Sequence, residues 1–453
     1  MTPNIITDPS LVSDLAALAG DDNWAFRSWA VRDYSHGLFQ YPAMMVPQMQ
    51  RELIERLAAE NQASRVYDPF VGSGTTMAES MLQGLSFLGT DINPLAVLLC
   101  RAKAGPFFMT ALADAGNRVV SAASADRATT ISVDWAGREK WFRNDVATEL
   151  SRIRRAIQAE RLRSTRRFLW VALAETVRLV SNSRTSTVKL HIRPADEVET
   201  RQINVGVVFA RTVSRNLERF QEHRDALLDS GLLTRHGHYR GDIAIHLHSA
   251  TDGPCPAAKP ASHDLLVTSP PYGDNATTVP YGQHAFLPLQ WIDLTDIDER
   301  ADERFLASTH AIDSMCLGAP TRGALDSIVG VRAISAALDG TLTELAAQPR
   351  DRGLRVAAFW RDLDASLDDM LASLSPGALM AWTVGNRRVG GIQIPMDDIL
   401  TELLTYRGCE TVTCLDRAIP DCRKRMAPRN STVATMNAEQ ILVLRYAPAE
   451  TPA

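Results

Sequence analysis

A glycine-rich turn between two short apolar segments constrains the fold of this 453-residue chain most strongly. Ser64–Tyr67 is predicted to be a strand, Asp68–Thr76 (DPFVGSGTT) a tight turn, and Met77–Gln83 a helix. A second apolar strand, Ser86–Thr90, follows and runs into Asp91. A strand, a helix and a strand within about 30 residues predict a βαβ unit, and therefore a parallel sheet.

The alternation of strands and helices stops after this unit and resumes near residue 240. Residues 101–238 are predicted to be mainly helical and include the amphipathic run Arg167–Val180. Beyond them the patterns predict strands at Asp242–His248, Asp264–Thr268, Ala378–Val384, Glu410–Leu415 and Gln440–Arg445, helices at Phe359–Leu374 and Met396–Tyr406, and a turn at Ser375–Gly377.

The turn Asp68–Thr76 has the composition of a nucleotide-binding turn. Its glycines let the backbone bend sharply and let a ligand approach closely, and the following helix offers free N–H groups. It is not a Walker loop, because no Gly-Lys-Ser/Thr follows. Asp91, about 20 residues later, is suited to accept hydrogen bonds from ribose hydroxyls. Capping of the next helix is the alternative role for Asp91.

A second motif, Ser269-Pro270-Pro271-Tyr272, directly follows the strand Asp264–Thr268. Two prolines fix an extended turn whose carbonyls are not absorbed into a strand ladder. The Ser269 hydroxyl and the Pro270 carbonyl can accept hydrogen bonds from an amino group, while Tyr272 can stack on a base. The string alone is also compatible with an ordinary turn, and its pairing with the glycine-rich turn favours a functional site.

The two strings together, DPFVGSGTT and TSPPYG, resemble the signature of the DNA amino-methyltransferase family, which methylates cytosine N4 or adenine N6. His36–Ala43 (HGLFQYPA) resembles the motif that precedes the glycine-rich turn in that family. Strings resembling a site-specific subset of the family are found at Thr268–Gln283, Val384–Pro395 and Arg423–Glu439. The resemblance spans about residues 36–100 and 240–445.

The resemblance implies an α/β, Rossmann-like fold with a seven-stranded sheet whose final strand is antiparallel, together with a mainly helical insertion. Residues 1–100 and 239–446 would form the cofactor-binding and catalytic halves, and residues 447–453 a tail. The order of the motifs resembles the class that recognises its target between them. Residues 101–238 are therefore the candidate recognition domain.

The resemblance also implies S-adenosylmethionine as cofactor and duplex DNA as substrate, with a cognate restriction endonuclease left open as a partner. The implied catalytic residues are Ser269, Pro270, Pro271 and Tyr272. The implied cofactor-binding residues are Tyr41, Pro42, Asp68, Phe70, Gly72, Ser73, Gly74, Thr75, Asp91 and Asn93. The basic residues Arg423, Lys424 and Arg425 are candidates for DNA phosphate contact, a solvated loop being the alternative.

Ser269 favours cytosine N4 as the target. In the family the residue before Pro-Pro-Tyr is usually Ser in cytosine enzymes and Asp or Asn in adenine enzymes. Adenine N6 is the alternative, followed by an RNA base and by a DNA-binding protein with a decayed catalytic core. Methylation of cytosine C5 requires a Cys nucleophile. Cys255, in Gly-Pro-Cys-Pro, is predicted to be structural instead.

Two details of the catalytic half depart from a clear pattern. Many family members carry an acidic residue at the end of the third strand, whereas this chain has His248–Asp252 (HSATD) there. Asp252 is one candidate to contact the adenine of the cofactor, and a different mode of binding is the other. Asn386 is compatible both with lining the pocket and with making a turn.

Charge is distributed unevenly along the chain, whose net charge is −5. The segment from Arg138 to Arg193 holds fourteen Lys or Arg and five Asp or Glu, a local net charge of +9. The acidic stretch Asp293–Glu303 offsets this charge elsewhere in the sequence. A basic segment of this kind indicates either a polyanion-binding face or a solvated helix.

The remaining composition indicates a cytoplasmic enzyme without metal. No run approaches the roughly 18 apolar residues of a membrane span, and the first residues lack the features of a signal peptide. The six cysteines form no CxxC pair, which argues against a zinc site or a disulfide framework.

Overall fold

The computed structural model of the protein describes residues 9–19, 24, 33–273, 278–348, 352–419 and 438–448. Its strands are β1 (Arg65–Asp68), β2 (Ser86–Asp91), β3 (Ile243–Leu247), β4 (His263–Thr268), β5 (Leu374–Val384), β6 (Arg388–Val389), β7 (Ile392–Gln393), β8 (Cys409–Ala418) and β9 (Ala438–Tyr446).

The helices of the first half of the chain are α1 (Pro9–Ala19), α2 (Pro47–Asn61), α3 (Thr75–Leu82), α4 (Pro94–Lys103), α5 (Met109–Ala125), α6 (Arg138–Trp141), α7 (Asn144–Gln158), α8 (Arg163–Val180), α9 (Ala195–Thr200) and α10 (Val205–Asp229). Those of the second half are α11 (Tyr281–Trp291), α12 (Leu294–Ile297), α13 (Ala324–Ser327), α14 (Val329–Ile334), α15 (Ala336–Ala346), α16 (Gly353–Ala372) and α17 (Met396–Tyr406). Among the described residues, no helix is both long enough and apolar enough to cross a membrane.

Seven of these strands form one sheet in the order β3-β2-β1-β4-β5-β9-β8. The pairs from β3 to β5 are parallel, and β9 is antiparallel to both of its neighbours, β5 and β8. The last strand of the chain is therefore inserted between two strands that precede it. The predicted α/β fold, with seven strands and an antiparallel final strand, is confirmed.

Alternation along the central strands sorts side chains between two helical layers. In β4, Leu265 and Val267 join the apolar core on one face, and Leu266 joins the core on the other. In β9, Ile441 and Val443 alternate in the same way with their neighbours. Burial on both faces explains why these strands read as continuous apolar runs in the sequence.

The start of β5 differs from its prediction. Ser375–Gly377 was expected to be a turn between a helix and a strand, but these residues lie inside β5. The register with β4 jumps from Leu374 to Leu379, so the segment forms a large bulge rather than a separate connection. Gly377 supplies a φ of +83° within this bulge. The preceding helix, α16, begins at Gly353, six residues before its predicted start.

The segment of residues 101–238 packs into the same core as the sheet. Phe168 and Trp170 of α8 and Phe220 of α10 are buried in one apolar cluster with Leu95 of α4 and Leu265 of β4. Helix α8 contacts both α4 and α11. The helices of this segment are therefore fixed to the sheet layer through shared apolar contacts and not only through their chain connections.

The order of the sheet creates a switch point between β1 and β4. Chain connections run outward from this position in both directions, since β2 and β3 lie on one side and β5 on the other. Loops that follow adjacent parallel strands at such a point diverge and leave a crevice at their carboxyl ends. The turn after β1 and the turn after β4 carry the two motifs predicted from the sequence.

Close packing of side chains around Gly89 of β2 gives a test of how the sheet is packed. A Cβ added there would lie 2.7 Å from Phe87 Cε1 and 2.9 Å from Val71 Cγ2. We expect Gly89→Ala to lower the free energy of unfolding by roughly 1–3 kcal/mol through overpacking, measured by urea denaturation. Gly340→Ala, at an exposed position of α15 with no atom near the added Cβ, should instead stabilise by roughly 0.4–1 kcal/mol. Equal effects of the two substitutions would contradict the packing described.

Candidate active site

A cavity of about 1200 Å³ lies where β1, β2 and β4 end. Of the residues predicted to bind cofactor, it is lined by Tyr41, Phe70, Gly72, Ser73, Thr75, Asp91 and Asn93. Of those predicted to be catalytic, it is lined by Ser269, Pro270, Pro271 and Tyr272. Pro42, Asp68 and Gly74 are chain neighbours of lining residues. The two motifs, about 200 residues apart in the chain, therefore share one cavity.

Asp68 connects the two motifs. It ends β1, is fully buried, and accepts hydrogen bonds at Oδ1 from the Thr268 hydroxyl (2.6 Å) and the Phe70 backbone N–H (3.0 Å). Thr268 ends β4 and directly precedes Ser269. Burial raises the pKa of Asp68 to about 7, although both hydrogen bonds oppose the shift.

The glycine-rich turn is held from behind by α4. Gly74 precedes α3 with a φ of +75°, and a Cβ there would lie 2.8 Å from Cys100 Sγ. The ammonium group of Lys103 is buried and donates to the Ser73 carbonyl (2.6 Å). Burial lowers the pKa of Lys103 to about 8. Sequence reasoning missed Lys103, because a single Lys in an apolar helix gives no signal of what its side chain contacts.

Asp91 ends β2 at the cavity. Its carboxylate accepts hydrogen bonds from the backbone N–H groups of Gly72 (2.9 Å) and Asn93 (2.8 Å), and burial raises its pKa to about 6. A carboxylate can accept about four hydrogen bonds, so acceptor capacity remains. The cap of α4 is Asn93, whose Oδ1 accepts from the Leu95 N–H (3.0 Å). Its Nδ2 donates to the Tyr41 hydroxyl (3.2 Å).

The segment His36–Ala43, which precedes the glycine-rich turn in the sequence, contributes to the site in two ways. Tyr41 lines the cavity and stacks against Tyr281, with ring centroids 5.8 Å apart. His36 instead lies buried behind the glycine-rich turn, where its Nε2 is 2.8 Å from Glu79 Oε1 on α3. Arg51 contacts the other oxygen of the same carboxylate at 2.7 Å. This buried network fixes the segment to the helix that begins at the turn.

The turn Ser269–Tyr272 is part of a hydrogen-bonded chain of side chains. The Ser269 hydroxyl donates to the Tyr272 hydroxyl (3.4 Å), which donates to Glu439 Oε1 (3.2 Å). Arg417 forms an ion pair with the other carboxylate oxygen of Glu439. Burial raises the pKa of Tyr272 well above its ordinary value, so this hydroxyl stays protonated. Glu439 ends one of the strings quoted above, but nothing in the sequence indicated that it contacts Tyr272.

The end of the third strand presents no acidic side chain to the cavity. His248, Ser249 and Ala250 line it, whereas Asp252 is exposed and lies in the turn that follows. His248 Nε2 is 2.9 Å from the Gly253 carbonyl, which fixes the imidazole in place. Asp252 is therefore not positioned to replace the acidic residue that many family members carry.

The basic segment Arg138–Arg193 is largely paired within the molecule. Arg166 contacts the buried Asp296 at 2.6 Å, the Trp170 indole N–H donates to the same carboxylate (2.8 Å), and Arg163 donates to the Thr295 carbonyl. The acidic stretch Asp293–Glu303 therefore offsets part of the charge of the basic segment by direct contact.

The predicted phosphate-binding residues Arg423, Lys424 and Arg425 lie outside the described residues. Within the described part of the chain, four arginine side chains line the cavity, namely Arg352, Arg355, Arg387 and Arg388. Gly273, directly after Tyr272, has a φ of +111°, and any Cβ there would overlap the Arg387 guanidinium. Glycine at this position therefore permits Arg387 to lie against the turn Ser269–Tyr272.

Asn386 lines the cavity and also makes the turn. Its Oδ1 accepts from the Met396 N–H (2.8 Å) and its Nδ2 donates to Asp397 (2.9 Å), so the amide fixes the start of α17. Cys255 is buried and is not among the residues that line the cavity. Among the described residues, no cluster of His, Cys, Asp or Glu could hold a metal ion.

The chain is similar to known DNA methyltransferases. Residues 16–100 match the family model of the N6 and N4 methyltransferases, which is described as DNA methylase. The chain is 30% identical over 472 residues to Type II methyltransferase M.MvaI of Kocuria varians, covering 97% of each protein. Type II methyltransferase M.MjaII of Methanocaldococcus jannaschii is 34% identical over 68 residues, or 15% of this chain and 12% of that protein.

Solved structures give a weaker likeness. The rRNA methyltransferase AviRa of Streptomyces viridochromogenes is 11% identical, with a TM-score of 0.29 and coverage of 94% of both chains. A TM-score at this level carries no argument about function. The family assignment rests on the relative that matches nearly the whole chain.

The raised pKa of Asp68 sets an expected dependence of stability on pH. A carboxyl group in the unfolded chain titrates near 3.8, whereas Asp68 in the folded protein titrates near 7. Between these values the folded protein holds a proton that the unfolded chain has lost, so this residue makes stability fall as pH rises. Asp68→Asn retains the acceptor for Thr268 but cannot titrate.

We expect the free energy of unfolding of Asp68→Asn, relative to the wild type, to rise between about pH 5 and about pH 8. Urea denaturation at both pH values measures this difference. Asp416→Asn, at an exposed position of β8, is the matched control. A difference between Asp68→Asn and wild type that is the same at both pH values would contradict the raised pKa.

Proposed function

Because the chain belongs to the DNA amino-methyltransferase family, we propose that it methylates the exocyclic N4 of cytosine at a specific site in duplex DNA. The observation that carries this proposal is the position of Ser269–Tyr272, which lines the same cavity as Gly72 and Asp91. The relative M.MvaI, a Type II methyltransferase that matches nearly the whole chain, supports methyl transfer as the reaction, and Ser269 supports cytosine N4 as the target. In a cell, such an enzyme would act on DNA in the cytoplasm, with a cognate restriction endonuclease as a candidate partner.

The cofactor half of the cavity suits S-adenosylmethionine. Asp91 offers free acceptor capacity to the hydroxyls of a ribose, and Tyr41 with Phe70 provides apolar surface beside it. His248–Ala250 would lie at the adenine end, without the acidic side chain common in the family. The volume of about 1200 Å³ exceeds the roughly 300–1000 Å³ of a typical single-ligand pocket. The excess volume is available to a second occupant, the target base.

In the proposed mechanism the protein orients the amino group of the base. The Ser269 hydroxyl oxygen and the Pro270 carbonyl accept its N–H bonds, and the Tyr272 ring packs on the plane of the base. Accepting both N–H bonds directs the nitrogen lone pair toward the cofactor half of the cavity. S-adenosylmethionine supplies the electrophilic methyl group. No protein nucleophile is required, and the excess proton of the amino group passes to water.

Access to the amino group requires that the base leave the duplex. Extrusion of a nucleotide into a pocket costs a few kcal/mol, which stacking and hydrogen bonds in the pocket offset. The side chains of Arg352, Arg355, Arg387 and Arg388, which line the cavity, are suited to hold the flanking phosphates, which position DNA without reading its sequence. We assign recognition of the target sequence to the segment of residues 101–238.

Ser269 is the reason to favour cytosine over adenine. In enzymes of this family the residue before Pro-Pro-Tyr is usually Ser where the target is cytosine, and Asp or Asn where it is adenine. An adenine N6 target keeps the same fold and mechanism and is the second candidate. An RNA base is a third candidate, supported only by the occurrence of similar Pro-Pro-Tyr motifs in RNA enzymes.

Mass spectrometry of nucleosides tests the proposed target. Duplex DNA is incubated with purified protein and isotopically labelled S-adenosylmethionine, then digested to nucleosides. Labelled N4-methylcytosine is the expected product. Labelled N6-methyladenine would overturn the inference from Ser269, and label confined to RNA in a parallel reaction would overturn DNA as the substrate.

Removal of the aromatic ring tests the role of Tyr272. Tyr272→Ala should slow methyl transfer in a single turnover by about 100-fold or more, because the base loses the surface that fixes its plane. Its affinity for S-adenosylmethionine, measured by calorimetry, should stay unchanged. Tyr406→Ala, at a position 69% exposed on α17, is the control. Unchanged turnover in Tyr272→Ala would exclude the assignment.

Removal of one hydroxyl tests Ser269. Ser269→Ala should slow single-turnover transfer by about 10²–10³-fold, the loss expected for one transition-state hydrogen bond. Ser375→Ala, whose hydroxyl donates to the Ala261 carbonyl and which is not among the residues that line the cavity, should leave the rate unchanged. Similar rates for both variants would show that Ser269 does not contact the reacting amino group.

A further inference from the structure

The hydrogen-bonded chain from Ser269 to Glu439 ends in a group that can only accept. Ser269 and Tyr272 are 3.4 Å apart through their hydroxyls, and Tyr272 and Glu439 are 3.2 Å apart. Each hydroxyl has one hydrogen to donate and can accept from either side. The two hydroxyls alone therefore do not determine which of them donates to the other. The Glu439 carboxylate at the end of the hydrogen-bonded chain determines it.

Glu439 is held in place by its neighbours. It lies in β9, directly opposite Arg417 of β8, and lines the cavity. Arg417 is buried, forms an ion pair with Glu439 Oε2, and donates from Nε to the Trp24 carbonyl (3.1 Å). The guanidinium offsets the negative charge of Glu439 and leaves Oε1 directed at Tyr272.

The carboxylate fixes the hydrogens of both hydroxyls. Because Glu439 only accepts, the Tyr272 hydroxyl donates to it and has a lone pair left for the hydrogen of Ser269. Ser269 then has its own hydrogen committed to Tyr272, and its oxygen faces the cavity with lone pairs alone. This is the state in which Ser269 accepts an N–H bond from the target amino group.

We propose that Glu439 is a positioning residue. It makes Tyr272 donate to Glu439 and Ser269 donate to Tyr272, so that the Ser269 oxygen acts as an acceptor toward the base. The inference rests on the proposed function of Ser269 as a hydrogen-bond acceptor for an amino group. It adds a residue that acts through Tyr272 and does not touch the substrate. It also gives the Tyr272 hydroxyl a role separate from that of its ring.

An isosteric amide distinguishes this role from a structural one. In Glu439→Gln the amide oxygen is drawn to Arg417, which only donates, and the NH₂ group then faces Tyr272 and donates to it. Tyr272 donates to Ser269 in turn, so Ser269 presents its hydrogen to the amino group of the base. The packing of Glu439→Gln is unchanged, but the direction of the chain is reversed.

The experiment compares single-turnover methyl transfer by wild type, Glu439→Gln, Ser269→Ala and the double variant. We expect Glu439→Gln to lower the rate constant by about tenfold to a hundredfold, with unchanged KM for DNA and unchanged urea denaturation. In the double variant the added loss should vanish, because Glu439 acts only through Ser269. Asp416→Asn, the same acid-to-amide change one residue before Arg417 and outside the chain of hydroxyls, should have no effect.

Several results would overturn the inference. A wild-type rate in Glu439→Gln would show that the rate does not depend on which hydroxyl donates to which. Additive losses of rate in the double variant would show that Glu439 does not act through Ser269. A fall in stability that accounts for the loss of rate would make its role structural. These comparisons use whichever base the wild type methylates, so a product other than N4-methylcytosine overturns the proposed target and leaves the test of Glu439 intact.

A measurement without substrate tests the contact itself. Protein labelled with 3-fluorotyrosine gives a ¹⁹F resonance for Tyr272, identified by its loss in Tyr272→Phe. We expect Glu439→Gln to shift this resonance and Asp416→Asn to leave it in place. A Tyr272 resonance that is the same in wild type and Glu439→Gln would exclude the hydrogen bond on which the inference depends, whether or not the protein methylates DNA.

Discussion

The hydrogen bond from Thr268 to the buried carboxylate of Asp68 is the contact on which the geometry of the site depends. It joins the last residues of β1 and β4, the two strands at the switch point of the sheet. The glycine-rich turn follows one of these residues and the catalytic turn follows the other. Parallel pairing of the two strands sets the distance between the turns, and the side-chain bond fixes where each turn leaves the sheet.

Each turn is then supported from behind by buried polar groups. Lys103 holds the carbonyl of Ser73, and the Glu439–Arg417 pair holds the hydroxyl of Tyr272. Buried groups of this kind are favourable only when their hydrogen bonds are made, which favours one arrangement of the backbone over its alternatives. The cavity between the turns therefore has a defined shape before any ligand binds.

The two turns and the sheet could be predicted from the sequence because each depends on local signals, namely glycines, prolines and apolar runs. The contacts of Glu439 could not, since they depend on pairing across 167 residues. For the same reason the pairing of the basic segment Arg138–Arg193 with Asp296 could not be predicted from the sequence. At Ser375–Gly377 the local signals correctly indicated a bend, but only the pairing with β4 shows that the strand continues through it.

A crystal structure of the protein with S-adenosylhomocysteine and a short duplex containing its target would show whether both turns serve one reaction. We expect the ribose hydroxyls to lie on the Asp91 carboxylate. We also expect an extruded cytosine on the Tyr272 ring, with its amino group on Ser269 Oγ and the Pro270 carbonyl. A target base still stacked in the duplex, or a cofactor bound away from the glycine-rich turn, would contradict the claim that both turns serve one reaction.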